Sequence, residues 1–271
     1  MASETATGKS VGPVRFLPSK EAAPDKPLFI FLPGMDGAGT LFRPQEKRLM
    51  PWFDVRCVSI ALTDKSGWVR LARKVGELIR DELPGGGTKG HRRGVYLCGE
   101  SFGGCLAMHV LTQFPELFER VVLVNPASSF RRLPWMHLGS LITRRLPSQA
   151  YQFSSLGLVP LLIEPHRVSG RDRRDMTAAM SAVSARTASW RMQLLSEFEA
   201  ERLPLERMTH PVLLVAGEND RLLPSKREAK GLLGRFPNAQ LKVLPHSGHA
   251  CLLERETNLQ KILLEAGFLP L

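Results

Sequence analysis

The sequence predicts an α/β fold: a mostly parallel central sheet with helices on both faces and a helical insertion over one edge. Three observations predict it. Apolar runs of strand length alternate with segments of helical periodicity. Strand, tight turn and helix follow without a break around Gly99-Glu100-Ser101-Phe102-Gly103. One long interval, residues 127–205, interrupts the alternation.

Residues 1–26 mix Ala, Ser, Lys, Glu, Pro and Gly without a period. They are expected to form a mobile tail, with one short strand near residues 14–17. Residues 27–32 are a continuous apolar run stopped by Pro33-Gly34, the pattern of a parallel strand buried on both faces. A second strand is predicted over 53–60. Residues 68–83 carry Val69, Leu71, Val75, Leu78 and Ile79 at helical spacing, ended by Pro84 and three glycines. Next come a strand over 95–98 and the helix after Ser101, which ends near Phe114-Pro115. Residues 120–125 form another strand, stopped by Pro126. After the interval, strands are predicted at 212–216 and 241–244, with helices at 225–236 and 254–266.

The interval 127–205 holds helix-length segments punctuated by Pro134, Pro147 and Pro160, with no strong strand. It is expected to be a helical cap over the C-terminal edge of the sheet, where open α/β sheets bind ligands. Residues 27–126 and 206–271 are then the core. Arginines cluster in the first part of the cap: Arg131, Arg132, Arg144, Arg145, Arg167, Arg171, Arg173 and Arg174. Leu133, Trp135, Met136, Leu138, Leu141 and Ile142 lie between them. Arginine beside apolar groups suits an anionic membrane surface. The alternative is a cap whose apolar face packs on the domain and lines its pocket.

Composition narrows the classes. The chain has 271 residues, 43% of them hydrophobic, which suits one α/β domain with an insertion. No apolar run reaches the roughly 18 residues of a membrane-spanning helix, and no secretory signal is visible near the start. A cytoplasmic protein, peripheral on a membrane at most, is expected. Cys57, Cys98, Cys105 and Cys251 lack any CxxC or Cys/His spacing, so free thiols are expected and no metal site. The net charge of +11 has no helix-turn-helix, zinc-finger or RNP-like pattern beside it, which argues against nucleic acid as a partner. Absence of G-x-x-x-x-G-K-[ST] and G-x-G-x-x-G argues against a bound nucleotide, and no cofactor is expected.

Chemistry concentrates at Gly99-Glu-Ser-Phe-Gly103. This fits G-x-S-x-G on a strand-to-helix turn, with Ser101 exposed at its top. Side chains at positions 99 and 103 would collide as strand and helix close around the serine. A serine hydroxyl needs a base, and the base needs a carboxylate to orient it. In this topology the chain order is serine, acid, histidine. Asp220 follows the strand at 212–216, and His249 follows the strand at 241–244. Glu218 shares the acid loop but directly follows Gly217, too near the strand to reach an imidazole. His246 is the other candidate base; His249 follows Gly248 and precedes apolar residues 250–253, which suits a loop held on the active edge. His91, His109, His137, His166 and His210 are assigned to surface or packing.

A tetrahedral intermediate needs preorganised N–H donors for its oxyanion. The backbone N–H of Phe102, at the start of the helix, is one candidate. Met35, in Pro33-Gly34-Met35-Asp36-Gly37, is the other, with flanking glycines that let the backbone turn its amide inward. Serine rather than aspartate at the elbow argues against a dehalogenase-like mechanism.

These features resemble the α/β-hydrolase superfamily over residues 27–268. Four segments go further: Phe31-Leu-Pro-Gly-Met-Asp-Gly37, Gly99-Glu-Ser-Phe-Gly-Gly-Cys105, Asn125-Pro-Ala-Ser-Ser129 and Asp220-Arg-Leu-Leu-Pro-Ser225. Together they resemble the hydrolase-like domain of the phytyl ester synthase/diacylglycerol acyltransferase family of plastids and cyanobacteria. The resemblance implies an esterase, lipase or acyltransferase. Acyl groups would pass from hydrophobic esters or thioesters to a long-chain alcohol such as phytol, or to diacylglycerol, at a thylakoid-type membrane. Plant members add a second domain with an H-x-x-x-x-D motif, which does not occur between His249 and Leu271. Any acyl transfer is therefore expected to use Ser101. A lipid- or terpenoid-binding protein without catalysis is the rival expectation.

Overall fold

In the computed structural model, residues 12–18, 23–83, 93–133 and 157–269 are described. Seven strands form the sheet among them: β1 (Val14–Phe16), β2 (Leu28–Leu32), β3 (Asp54–Ile60), β4 (Val95–Glu100), β5 (Arg120–Val124), β6 (Val212–Gly217) and β7 (Ala239–Leu244). The order across the sheet is β1-β3-β2-β4-β5-β6-β7. β1 runs antiparallel to β3, and every other pair is parallel. The short strand expected near residues 14–17 is β1, and it forms the edge of the sheet.

Helices cover both faces: α1 (Arg43–Leu49), α2 (Trp68–Glu82), α3 (Phe102–Gln113), α4 (Val159–Leu162), α5 (Gly170–Ala182), α6 (Ala185–Glu197), α7 (Ser225–Leu233) and α8 (Leu259–Glu265). Strand pleating divides the core. Leu28, Ile30 and Leu32 of β2 join one cluster with α2, α3 and the inner face of α6. Phe29 and Phe31 join the other, with Leu49 of α1 and Leu259, Ile262 and Leu263 of α8. The central strands β2, β4, β5 and β6 are thus buried on both faces, which is why they read as nearly unbroken apolar runs. Among the described residues, no helix is long and apolar enough to cross a membrane.

Some expectations shift. Val69 is 59% exposed; the buried stripe of α2 is Trp68, Leu71, Ala72, Val75 and Ile79. The last helix begins at Leu259, not at 254, because the Glu254 carboxylate accepts from Gly248 N–H at 2.8 Å and from Arg167 Nε at 2.9 Å. Asn258 caps the helix instead, accepting from Lys261 N–H. Of the Arg-rich part of the insertion, residues 134–156 lie outside the described residues, and with them Arg144, Arg145 and most of its apolar groups.

The topology fixes where the site forms. β4 lies beside β2 on the side away from β3, so the order reverses between them, and such a switch point is where α/β sheets bind ligands. Leu32 pairs with Gly99, so the loop after β2 and the turn after β4 leave the sheet side by side. Gly217 pairs with Leu244, so the loops after β6 and β7 leave together as well.

Candidate active site

Ser101 sits between β4 and α3 at φ 55 and ψ −115, a region costly for any residue with a side chain. The turn is held by its own backbone. Ser101 N–H donates to Val124 O at 3.0 Å, and Ser101 O accepts from Gly104 and Ala127 N–H at 3.0 and 3.1 Å. Glycine is required on both sides. A Cβ at Gly99 would lie 2.2 Å from Gly103 O, and one at Gly103 would lie 2.1 Å from Leu32 O. Both contacts are with backbone, which cannot swing aside.

The three side chains expected to cooperate meet. His249 Nε2 lies 2.8 Å from Ser101 Oγ, and His249 Nδ1 lies 2.7 Å from Asp220 Oδ2. With Asp220 ionised, Nδ1 donates to it, leaving Nε2 free to accept from the serine hydroxyl. The pair is dry: His249 and Asp220 side chains are 4% and 1% exposed. Asp220 Oδ1 accepts from Leu222 and Leu223 N–H at 2.9 Å each, and Oδ2 also accepts from Ser225 Oγ. Burial pushes the Asp220 pKa upward, but the His249 charge and the hydrogen bonds from His249, Ser225 and Leu223 outweigh it and leave it below the ordinary value.

The rival candidates point elsewhere. Glu218 accepts from Lys226 Nζ at 2.6 Å on the surface. His246 is exposed. His109 stacks on Trp68 at 5.4 Å, and burial pushes its pKa down to about 4. His210 lies 2.9 Å from Pro115 O, His166 is exposed, and His91 and His137 lie outside the described residues. Cys57, Cys98, Cys105 and Cys251 are free and buried. No group of three His, Cys, Asp or Glu side chains suited to a metal occurs among the described residues.

Phe102 opens α3 and is buried, and Met35 lies half-buried in the neighbouring loop. Gly34 brings that loop close, since a Cβ there would lie 3.8 Å from Ser101 Cβ. The two residues whose amides are expected to receive an oxyanion thus lie on the two segments that flank Ser101.

Residue-by-residue reading missed one organiser. Asn125, fully buried with φ 41, follows β5. Its Nδ2 donates to His249 O at 2.6 Å and Gly248 O at 3.2 Å, and its Oδ1 accepts from Gly217 N–H at 2.8 Å. One amide therefore joins the acid and histidine loops. Its only local signal is Asn-Pro after a strand, and asparagine tolerates the left-handed region better than most residues. Glu100, inside the Gly99–Gly103 turn, is a second residue whose surroundings the sequence does not show. Its Oε1 is buried without a hydrogen-bond partner among the described residues. Burial, with help from Asp36, pushes its pKa to about 7 against the opposing influence of His249.

Known proteins resemble the chain in sequence and in shape. Phytyl ester synthase 1, chloroplastic, of Arabidopsis thaliana is 29% identical over 266 residues, covering 90% of this chain and 37% of that protein. The chain thus spans little more than a third of that relative. The pimeloyl-[acyl-carrier protein] methyl ester esterase of Nitrosomonas europaea is 28% identical, with 65% of this chain and 69% of that protein covered. A putative lipase from Acinetobacter baumannii superposes with a TM-score of 0.74 at 18% identity, covering 96% of this chain and 90% of that one; at that identity the likeness is one of fold. The description of the alpha/beta hydrolase family matches residues 29–259, from within β2 to the first residue of α8, and the chain belongs to that family.

Proposed function

We propose that the protein is a serine hydrolase acting on hydrophobic acyl esters through an acyl-enzyme at Ser101. The observation that carries this reading is the unbroken relay from Ser101 Oγ to His249 to Asp220, at 2.8 and 2.7 Å. Ser101 Oγ attacks the acyl carbonyl while His249 Nε2 takes its proton. Asp220 holds the imidazole in the tautomer with Nδ1 protonated and stabilises the imidazolium. The Met35 and Phe102 amides receive the oxyanion. The intermediate then collapses, and the alcohol or thiol leaves with the proton from Nε2. In the second half, an incoming hydroxyl gives its proton to Nε2 and attacks the acyl-serine carbonyl, and Ser101 leaves reprotonated.

That incoming hydroxyl decides the product. Water gives a free acid, and a long-chain alcohol such as phytol gives a new ester. We take transfer to such an alcohol as the finer reading, supported by the similarity to a phytyl ester synthase across 90% of this chain. Both reactions share the first half, so the serine and the acceptor are tested separately. A fluorophosphonate should label the wild type and not Ser101→Ala. Full ester turnover by Ser101→Ala would overturn the serine assignment. Incubation with acyl-CoA or galactolipid, with and without phytol, followed by mass spectrometry, reads the acceptor. Free fatty acid with no phytyl ester would remove the transferase reading and leave the hydrolase.

A further inference from the structure

α6 belongs to the insertion, yet one of its charged side chains is buried at the active edge of the core. Arg191 is 2% exposed. Its Nη1 donates to the carbonyl oxygen of Met35, and its Nη2 donates to that of Ile60 at 3.3 Å. The guanidinium carbon lies 6.0 Å from the Phe102 ring centroid, and its charge opposes the burial that raises the Asp36 pKa above the ordinary carboxylate value. A single side chain from outside the core therefore bonds the carbonyl of Met35 and sets its charge over the ring of Phe102, the two residues assigned above to the oxyanion.

The surroundings are shaped around this arginine. Gly37 has φ +66, and a Cβ there would lie 2.5 Å from both Nη1 and Nη2. Gly37 N–H closes the turn onto Gly34 O at 3.1 Å, and Gly37 O accepts from Ile60 N–H at 2.8 Å. The guanidinium thus joins the turn at Met35 to the end of β3 at Ile60. α6 is itself fixed on either side of Arg191. Thr187 Oγ1 donates to Leu62 O at 2.7 Å, and Trp68 Nε1 donates to Leu194 O at 2.8 Å. Positions 187, 191 and 194 share one helix face. Arginine suits the task because its planar fork holds two acceptors at once and keeps its charge.

We propose that Arg191 is a positioning residue that latches the 33–37 loop in the orientation an oxyanion requires. The insertion thereby sets the electrophilic half of the site, while Ser101, Asp220 and His249 are supplied by core segments. This rests on the oxyanion role given above to Met35 and Phe102. A loop amide misplaced by about 1 Å can cost on the order of 100-fold in rate.

Arg191→Lys tests the latch, since lysine keeps the charge but loses the fork; Arg191→Gln is the second variant if lysine prevents folding. Hydrogen exchange of residues 33–38 reads the loop without any catalysis. Fluorophosphonate labelling, with kcat and KM for a p-nitrophenyl ester, reads the chemistry. Exchange should quicken, and labelling rate and kcat should fall together by roughly 100-fold, with KM little changed. Guanidinium ion added to Arg191→Ala should restore part of the labelling rate. Unchanged exchange overturns the latch whether or not the wild type cleaves esters. Faster exchange with wild-type labelling overturns its part in the chemistry. A wild type never labelled at Ser101 contradicts the proposed function instead, and the exchange result then decides the latch alone.

Discussion

Asp220 and Glu100 are both carboxyls whose pKa the charge of His249 pulls down, and the fold gives them opposite surroundings. Asp220 lies on the loop after β6, which curls so that two of its own N–H groups and the Ser225 hydroxyl meet the carboxylate. Glu100 is the last residue of β4, where the backbone is committed to the sheet. The Leu252 main chain gives it one hydrogen bond, while Oε1 is buried with no partner among the described residues. Desolvation is the largest influence on both groups, so burial alone does not separate them. The number of donors does. Asp220 is held below the ordinary carboxylate value and stays ionised, whereas Glu100 is pushed up to about 7. Environments that drive two carboxyl groups apart assign them different work beside one base. Asp220 is the permanent anion hydrogen-bonded to His249; Glu100 is neutral in acid and becomes a second anion only near neutrality.

Asp220→Asn strikes this contrast hardest. The amide keeps the shape but removes the charge and favours the wrong imidazole tautomer. The expected loss in kcat is about 10⁴-fold, read by single-turnover kinetics on a p-nitrophenyl ester. A loss below about 10-fold at alkaline pH would mean that ionised Glu100 takes over the role of Asp220, a far smaller effect than an isolated relay acid produces.

Glu100→Gln acts on stability. Between the ordinary carboxylate value of about 4.3 and about 7, the native protein holds a proton that the unfolded chain has released. Wild-type stability should therefore fall as pH rises through that window and level off above it. The expected fall is on the order of 3 kcal/mol, and Glu100→Gln should abolish it, leaving the variant the more stable protein above neutrality. Urea unfolding of both proteins at pH 5 and pH 8 checks this. Equal pH dependence in the two would refute the assignment of a neutral Glu100.

The parts of this arrangement legible from sequence are those written locally. The central parallel strands, buried on both faces, are continuous apolar runs and are legible to within two residues. That Ser101, Asp220 and His249 would meet at one edge is legible because those residue types occur in the order serine, acid, histidine, each after a strand. What stayed hidden has distant partners. α1, Arg-Pro-Gln-Glu-Lys-Arg-Leu, shows no apolar period. It is anchored by the buried Gln45, whose carboxamide donates to Leu252 O and Thr257 O and accepts from Leu259 N–H. Arg191 reads as one more cationic residue on a helix until Met35 and Ile60 are folded against it. Glu254 continues a helical pattern in sequence, but Gly248 and Arg167 hold its carboxylate outside α8.

The smallest effect sharpens the contrast by moving Asp220 toward the condition of Glu100. Ser225 is 1% exposed, and its hydroxyl donates to Asp220 Oδ2, the oxygen that also faces His249 Nδ1. Ser225→Ala removes that donor and leaves the two backbone N–H groups on Oδ1 in place. A hydrogen bond to a buried charge contributes about 2 kcal/mol, so the variant should lose about that much stability at pH 7. The sign with pH follows from the lowered Asp220 value. The contribution is present in full above the ordinary aspartate value of about 3.9. It fades as pH falls through the native value below that, because a protonated carboxyl no longer needs the donor. Wild type and Ser225→Ala should therefore differ at neutral pH and converge in acid, as wild type and Glu100→Gln also do, but with the opposite sign: at neutral pH Ser225→Ala is less stable than the wild type, whereas Glu100→Gln is more stable. A Ser225→Ala deficit that persists unchanged well below pH 3 would assign the serine to packing, and the low Asp220 value to the His249 charge and the loop amides alone.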